Sequence, residues 1–114
     1  MVASTTLVEA CPLEQLSADH ATLLQFGHYE VGLVLYQGQP VAVVNSCPHF
    51  GGPLAQGPVN GARGEIICPW HKFRFALATG QSVTNPDMAA ALLPTEVRDG
   101  QVFVDVKALT GSEE

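Results

Sequence analysis

The residues best suited to chemistry are two short cysteine and histidine pairs in the middle of the chain. Cys47 and His49 form a Cys-x-His pair. Cys68 and His71 form a Cys-x2-His pair, and the 18 residues at positions 50–67 separate the two. Two thiolates and two imidazole nitrogens are a complete ligand set for zinc or an iron–sulfur centre, and they do not suit calcium or magnesium. The sequence therefore predicts a metal or cluster site at these four residues.

The order of the ligands discriminates between those two kinds of site. Structural zinc fingers commonly place two cysteines together and then two histidines, whereas each pair here contributes one of each. This interleaving suits two irons with different coordination, the cysteines on one and the histidines on the other, as in a Rieske [2Fe–2S] centre. A zinc site, or a site that has lost its metal, is the alternative that the spacing leaves open.

The segments around both pairs resemble the small soluble Rieske ferredoxins. The matching residues read CPHFGGPLAQG at Cys47–Gly57 and CPWHKFRFALATG at Cys68–Gly80. The resemblance implies an all-β Rieske [2Fe–2S] fold, in which an antiparallel β-sandwich base carries a small cluster-binding subdomain. The expected organisation is a single domain over residues 1–114, with the cluster-binding subdomain at about 45–80.

The resemblance also implies the cofactor and its ligands. One Rieske-type [2Fe–2S] cluster is expected, with the thiolates of Cys47 and Cys68 on the inner iron. The imidazoles of His49 and His71 would then bind the outer iron, close to solvent. A third loop around Asn85 to Asp87 is expected to cover the cluster from the side.

Departures from other members of that family predict which kind of electron carrier this is. Rieske proteins of quinol-oxidising complexes carry a disulfide between the ligand loops, and Gly52 and Trp70 occupy those places here. Hydroxyl groups that raise the potential are replaced by Phe73 and Phe75, which donate no hydrogen bond. We therefore expect a reduction potential near the lower end of the Rieske range, ~−150 mV.

Such a potential favours a ferredoxin that takes electrons from a flavin-dependent reductase and delivers them to a terminal oxygenase. The alternative is the small Rieske subunit of an NAD(P)H-dependent nitrite reductase, whose large subunit would be its partner. In either role the chain is an electron-transfer component rather than a catalyst by itself. A zinc-bound or cluster-free interaction module is the third possibility.

Composition excludes several other classes of function. The chain has 114 residues and a formal net charge of −6, which repels nucleic-acid phosphates and anionic lipid. Its most apolar run, Val31 to Val44, is too short and too interrupted to span a bilayer. No Lys or Arg precedes an apolar stretch at the beginning of the sequence, so no targeting signal is visible. We expect a cytoplasmic protein with no nucleic-acid or membrane partner.

The flanking segments have the apolar runs and turn residues typical of short antiparallel strands. Strands are predicted at 21–26, 29–36 and 40–44. The middle one is apolar on both faces, as a strand buried inside a sandwich would be. A hairpin is predicted between Leu92–Arg98 and Gln101–Val106, because Asp99-Gly100 suits a two-residue turn.

Two further segments have weaker signals. Residues 45–64 hold five of the eleven glycines and little periodicity, so we expect a long functional loop there. Pro12 to Ser17 is predicted to form one short helical turn.

The positions of several side chains near the predicted ligands have two possible interpretations. Phe50 and Trp70 are either core side chains or parts of an exposed apolar rim around the cluster. Lys72 and Arg74 are either a solvated strand edge or cations that steer an acidic partner.

The remaining chemically reactive side chains have ordinary explanations. Cys11 has no cysteine or histidine near it in sequence and is expected to be a buried or incidental free thiol. His20 and His28 lack cysteine companions and are expected to be ordinary polar residues.

Overall fold

The computed structural model describes residues 7–26, 29–46, 53–70, 72–84 and 87–106, which contain ten β-strands and two short 3-10 turns. The strands are β1 (Leu7–Pro12), β2 (Thr22–Phe26), β3 (Tyr29–Tyr36), β4 (Gln39–Val44), β5 (Val59–Asn60), β6 (Glu65–Ile67), β7 (Arg74–Ala76), β8 (Leu92–Leu93), β9 (Thr95–Arg98) and β10 (Gln101–Asp105). The turns cover Leu13–Gln15 and Leu54–Gln56. These ranges contain no α-helix, which confirms the predicted all-β class, and no helix able to cross a membrane.

The strands form three antiparallel sheets. The base sheet has the order β1-β10-β9, and the central sheet has the order β2-β3-β4-β8. The third sheet, which we call the loop sheet, has the order β5-β6-β7. The three strands predicted for residues 21–44 therefore exist and are neighbours in the central sheet, because short hairpins join them in succession.

Alternate residues of β3 pack into two separate apolar clusters. Val31 and Leu33 contribute to the base cluster, and Val34 contributes to the loop-side cluster. The base cluster contains Cys11, Leu16, Val31, Leu33, Ala42, Leu93, Val102 and Val104. The loop-side cluster contains Val34, Val43, Leu54, Ile66, Cys68, Phe75, Leu77 and Ala90. The two apolar faces of β3 thus reflect burial on both sides, each large side chain contributing about 1.5–3 kcal/mol.

The predicted hairpin at the end of the chain is confirmed in its turn and its second strand. Asp99 and Gly100 both have positive φ, 51° and 78°, which is the geometry that a two-residue hairpin turn requires. Val102 and Val104 of β10 are fully buried, as their alternation predicts.

The first strand of that hairpin was predicted too long, since Pro94 divides it. Leu92–Leu93 form β8 and pair with β4 in the central sheet, whereas Thr95–Arg98 form β9 and pair with β10. Proline has no N–H to donate to a strand ladder, so the chain changes sheets at this residue. Pro94 itself was the sequence signal for this break.

The beginning of the chain contains a strand that the sequence did not predict. β1 pairs with β10, but its register shifts between Glu9 and Cys11, and that irregularity interrupts the simple alternation. The predicted short turn after it is present as Leu13–Gln15. The predicted long loop over 45–64 also holds some structure, namely the turn Leu54–Gln56 and strand β5.

Residues 45–91 are an excursion from the central sheet that returns to the place where it left. β4 pairs directly with β8, and the Val44 N–H donates to the Ala91 carbonyl at 2.9 Å. Both predicted ligand pairs and the whole loop sheet lie between those two strands in sequence. The central sheet therefore holds the two ends of this excursion together.

Gly32 is the point of closest packing between the central sheet and the turn Leu54–Gln56. A Cβ on Gly32 would lie 2.6 Å from the Ala55 Cβ and 2.9 Å from the Ala21 Cβ. We expect Gly32→Ala to lower the free energy of unfolding by about 1–3 kcal/mol, measured by urea denaturation, because neither neighbour can swing away. Adding Ala55→Gly should restore part of the loss, and equal stability of Gly32→Ala and the parent would contradict this packing.

Candidate metal centre

Of the four predicted ligands, Cys68 lies in the part of the chain that the structure describes. Cys47, His49 and His71 lie outside it, as does most of the predicted third loop, at residues 85–86. Cys68 follows β6 directly, is 1% exposed, and has a free thiol. Among the described residues, no three histidine, cysteine or carboxylate side chains converge.

The loop that starts at Cys68 is closed by its own backbone. The Cys68 N–H donates to the Phe73 carbonyl at 2.8 Å, and the Lys72 N–H donates to the Cys68 carbonyl at 2.8 Å. Lys72 has a φ of 62°, in the left-handed region that costs a lysine about 1–2 kcal/mol. We call residues 68–73 the second ligand loop, and the sequence places His71 inside it.

Asn45 precedes the segment that holds Cys47 and His49, and its side chain binds the chain that follows that segment. The Asn45 side chain accepts a hydrogen bond from the Ala55 N–H at 2.8 Å and donates one to the Glu30 carboxylate at 3.1 Å. The Asn45 N–H also donates to the Glu30 carbonyl at 2.9 Å. Because Ala55 is buried, its N–H has little access to water, and Asn45 closes the chain across the first predicted ligand pair.

The flanks of the two ligand pairs are in direct contact at Gly57. A Cβ on Gly57 would lie 1.7 Å from the Ile67 carbonyl oxygen and 3.0 Å from Pro69 Cδ. The Ile67 N–H donates to the Pro58 carbonyl at 3.0 Å. The chain that leaves the first pair therefore lies against the residues on either side of Cys68.

A further segment packs beside the second ligand loop. The Arg74 N–H donates to Thr84 Oγ1 at 3.1 Å, and the Val83 N–H donates to the Arg74 carbonyl at 2.8 Å. This places residues 82–84, which lead into the predicted third loop, next to the end of the second ligand loop. The third loop itself stays a prediction.

The Arg74 side chain forms an ion pair inside the loop sheet. The Glu65 carboxylate is 8% exposed and lies 3.3 Å from Arg74 Nη1 and 3.6 Å from Arg63 Nε. A nearly buried carboxylate needs such partners, since an unpaired charge there would be costly. Arg74 is therefore neither a free steering cation nor a simple solvated edge, and Glu65 is a buried polar residue that the sequence pattern did not reveal.

The structure also describes Trp70 and Lys72, for which the sequence left two interpretations open. Trp70 is 60% exposed, so it is a surface side chain and not part of the core, and Lys72, two residues later, is also exposed. Phe50 and His28 lie outside the described residues. Cys11 is a buried free thiol whose pKa is raised by burial, and His20 is exposed, as expected of an ordinary polar residue.

The residues present fit an iron–sulfur cluster. Cys68 supplies a free, buried thiol on a loop closed by hydrogen bonds, and Gly57 lets the other ligand-bearing segment approach it. Soft thiolate ligands in a shielded position suit an iron–sulfur centre.

Gly57 provides a direct test of the contact between the two flanks. We expect Gly57→Ala to lose most of its iron and acid-labile sulfide per chain, because the new Cβ meets a backbone carbonyl that cannot move alone. The control is Gly38→Ala, in the left-handed backbone of the β3–β4 turn with no atom within 4 Å of the new Cβ. This control should lose about 1 kcal/mol of stability and keep its iron. Full iron content in Gly57→Ala would contradict the importance of the contact.

The role of Asn45 is tested with variants that remove its two side-chain hydrogen bonds one at a time. Asn45→Ala leaves the Ala55 N–H without its acceptor, and we expect a loss of about 1–3 kcal/mol in unfolding free energy, measured in urea. Glu30→Ala removes the acceptor of the exposed bond to the Asn45 amide and should cost well under half as much. Equal losses in the two variants would show that Asn45 does not act through Ala55.

Comparison with known proteins assigns the chain to a family. The family model of the Rieske [2Fe–2S] domain matches residues 6–106. The ferredoxin component of the alkene monooxygenase system of Xanthobacter autotrophicus is 26% identical over 102 residues, covering 90% of this chain and 83% of that protein. The ferredoxin component of the p-cumate 2,3-dioxygenase system of Pseudomonas putida is 29% identical over 108 residues, covering 91% and 89%.

Comparison of the fold with solved structures finds a relative of the same kind. The ferredoxin of carbazole 1,9a-dioxygenase from Nocardioides aromaticivorans IC177 superposes with a TM-score of 0.79 at 26% identity, covering 88% of this chain and 97% of that one. The overall fold is thus shared with that ferredoxin. The chain belongs to the Rieske [2Fe–2S] domain family, and its cofactor is a Rieske-type [2Fe–2S] cluster.

Proposed function

We propose that the protein is a soluble Rieske-type ferredoxin that carries single electrons from a flavin-dependent reductase to the terminal component of an oxygenase system. The observation that carries this proposal is the match, over most of both chains, to proteins that are themselves ferredoxin components of oxygenase systems. The contact at Gly57, which joins the flanks of both ligand pairs, supports a cluster site of the kind that such a carrier needs.

The proposed ligands are the four residues of the two pairs. Cys47 and Cys68 would hold one iron, and His49 and His71 would hold the other. The bound cluster supplies a site that accepts and releases one electron. Cys68 lies at the end of a strand in the loop-side cluster, which excludes water on its inner side, and the closed second ligand loop limits its movement.

The wider setting of the protein is part of the same proposal. We place residues 1–114 in one domain with a cluster-binding subdomain at about 45–80, which is supported by the excursion of residues 45–91 from the central sheet. The protein would act in the cytoplasm, as a component of a multicomponent oxidoreductase and without a nucleic-acid or membrane partner.

The cluster is tested by electron paramagnetic resonance of anaerobically purified protein before and after dithionite, with iron and sulfide assayed on the same sample. We expect silence before reduction and then a rhombic signal of low average g value, with two irons per chain. A potential near the low end of the Rieske range, ~−150 mV, is expected in the same sample. An iron-poor protein loaded with zinc would overturn the electron-carrier proposal.

A matched pair of cysteine variants tests the ligand assignment. Cys68→Ala should lose the reduced signal and the iron, because its thiolate is a proposed ligand. Cys11→Ala removes a buried thiol from the base cluster and should keep both, at a modest cost in stability. Retention of the signal in Cys68→Ala would remove that residue from the ligand set.

The nature of the partner separates this function from the nitrite reductase alternative. A ferredoxin of an oxygenase system makes small and transient redox contacts, so it should purify alone. Stable co-purification with a large subunit containing flavin and sirohaem would favour the small subunit of an NAD(P)H-dependent nitrite reductase instead.

A further inference from the structure

The region that holds the ligand pairs is basic, although the protein as a whole is acidic. Residues 47–84 contain three basic residues and one acidic residue, whereas the chain carries a formal net charge of −6. The basic residues are Arg63, Lys72 and Arg74, and the acidic one is Glu65. The other ten acidic residues lie outside this range, and they include Glu30, whose carboxylate accepts the Asn45 amide. The protein is therefore strongly polarised in charge along its sequence.

Within this region Lys72 differs from both arginines. Arg63 and Arg74 lie within ion-pair distance of Glu65, and no described carboxylate lies within that distance of Lys72. Lys72 is exposed and precedes β7, which begins at Arg74, so it is not on a strand edge. Its charge is available to a partner.

The backbone of Lys72 is a second and independent observation. Its φ of 62° lies in the left-handed region, where glycine would sit without strain. Residues held in such conformations cluster at sites of function, where a side chain is kept despite its cost. A lysine at this position, directly after a proposed ligand, therefore points to a role for its ammonium group.

Trp70 lies in the same closed loop, two residues from Lys72. It is 60% exposed and is the single tryptophan of the sequence. A large exposed aromatic is a typical anchor of a protein–protein contact because it supplies apolar area, and a charge near it in the chain supplies orientation. The hydrogen bond from the Lys72 N–H to the Cys68 carbonyl fixes this loop relative to Cys68.

We propose that Trp70 and Lys72 form a docking patch for an acidic protein surface in which carboxylates surround an apolar recess. This inference rests on the proposed function, since the docked partner exchanges electrons with the cluster. The same acidic partner surface would repel the rest of this protein, which holds ten of its eleven acidic residues. Approach of the partner through the docking patch is therefore favoured. Lys72 acts by orienting the partner, and it takes no part in holding the cluster.

The test uses the reduced holoprotein and two inorganic oxidants of opposite charge, the trianion hexacyanoferrate(III) and the trication tris(phenanthroline)cobalt(III). Lys72→Gln should lower the rate constant with the trianion by about threefold and raise it with the trication, an effect that vanishes at about 1 M salt. Lys72→Gly should behave like Lys72→Gln, because it removes the charge and also the backbone strain. Lys72→Arg should retain the parent rates.

The control is Arg98→Gln, which removes one positive charge from the base hairpin and gives the same net charge as Lys72→Gln. It should leave both rates within experimental error of the parent. Equal effects of Lys72→Gln and Arg98→Gln would overturn the proposal, because the oxidants would then sense net charge and not a local patch.

Fluorescence of Trp70 gives a readout that does not require electron transfer. Relative to the quenching of free N-acetyltryptophanamide by the same ions, iodide should quench it more strongly than caesium does, and Lys72→Gln should reduce that difference. Equal relative quenching by the two ions in the parent protein would also overturn the proposal. A sample with no reducible cluster would react with neither oxidant and would count against the proposed function, while the quenching experiment would still decide on the docking patch.

Discussion

The close approach of Gly57 to the Ile67 carbonyl is the contact on which the arrangement of the metal centre depends. The two ligand pairs are separated by 18 residues, and cluster ligands must lie within a few ångströms of one another. The described chain after the first pair lies against the chain before the second, with no side chain between them, which is the approach that a shared cluster would require. The turn Leu54–Gln56, Asn45 and Gly32 all serve to hold that segment in place.

The central sheet separates this arrangement from the rest of the protein. One of its faces belongs to the loop-side cluster, which includes Cys68, and the other belongs to the base cluster, which is completed by β10. The strands of the central sheet contact both clusters, as Leu93 and Leu92 of β8 do on its two faces. Both predicted ligand pairs belong to the excursion of residues 45–91, and most of the acidic residues lie outside residues 47–84.

Sequence patterns predicted those features that are local in the chain. The alternation of Val102 and Val104, the turn at Asp99-Gly100 and the two Cys/His pairs each depend on residues close together in sequence. The contact of Gly57 with Ile67 and the burial of Glu65 between two arginines are non-local, and no spacing reveals them. The break at Pro94 was missed because the partners of the two pieces, β4 and β10, are distant in sequence, and β1 was missed because its register shifts beside Ala10.

The hydrogen bond between Val44 and Ala91 has a consequence for how such a domain can change over time. Because the excursion of residues 45–91 leaves and re-enters the central sheet at neighbouring strands, its length is nearly uncoupled from the strand pairing of the sheet. Closing a longer loop costs little extra entropy, about 0.6 kcal/mol for each doubling of its length. The metal-bearing segment is therefore a transplantable unit, which insertions can enlarge or reshape for new partners while the supporting sheets stay the same.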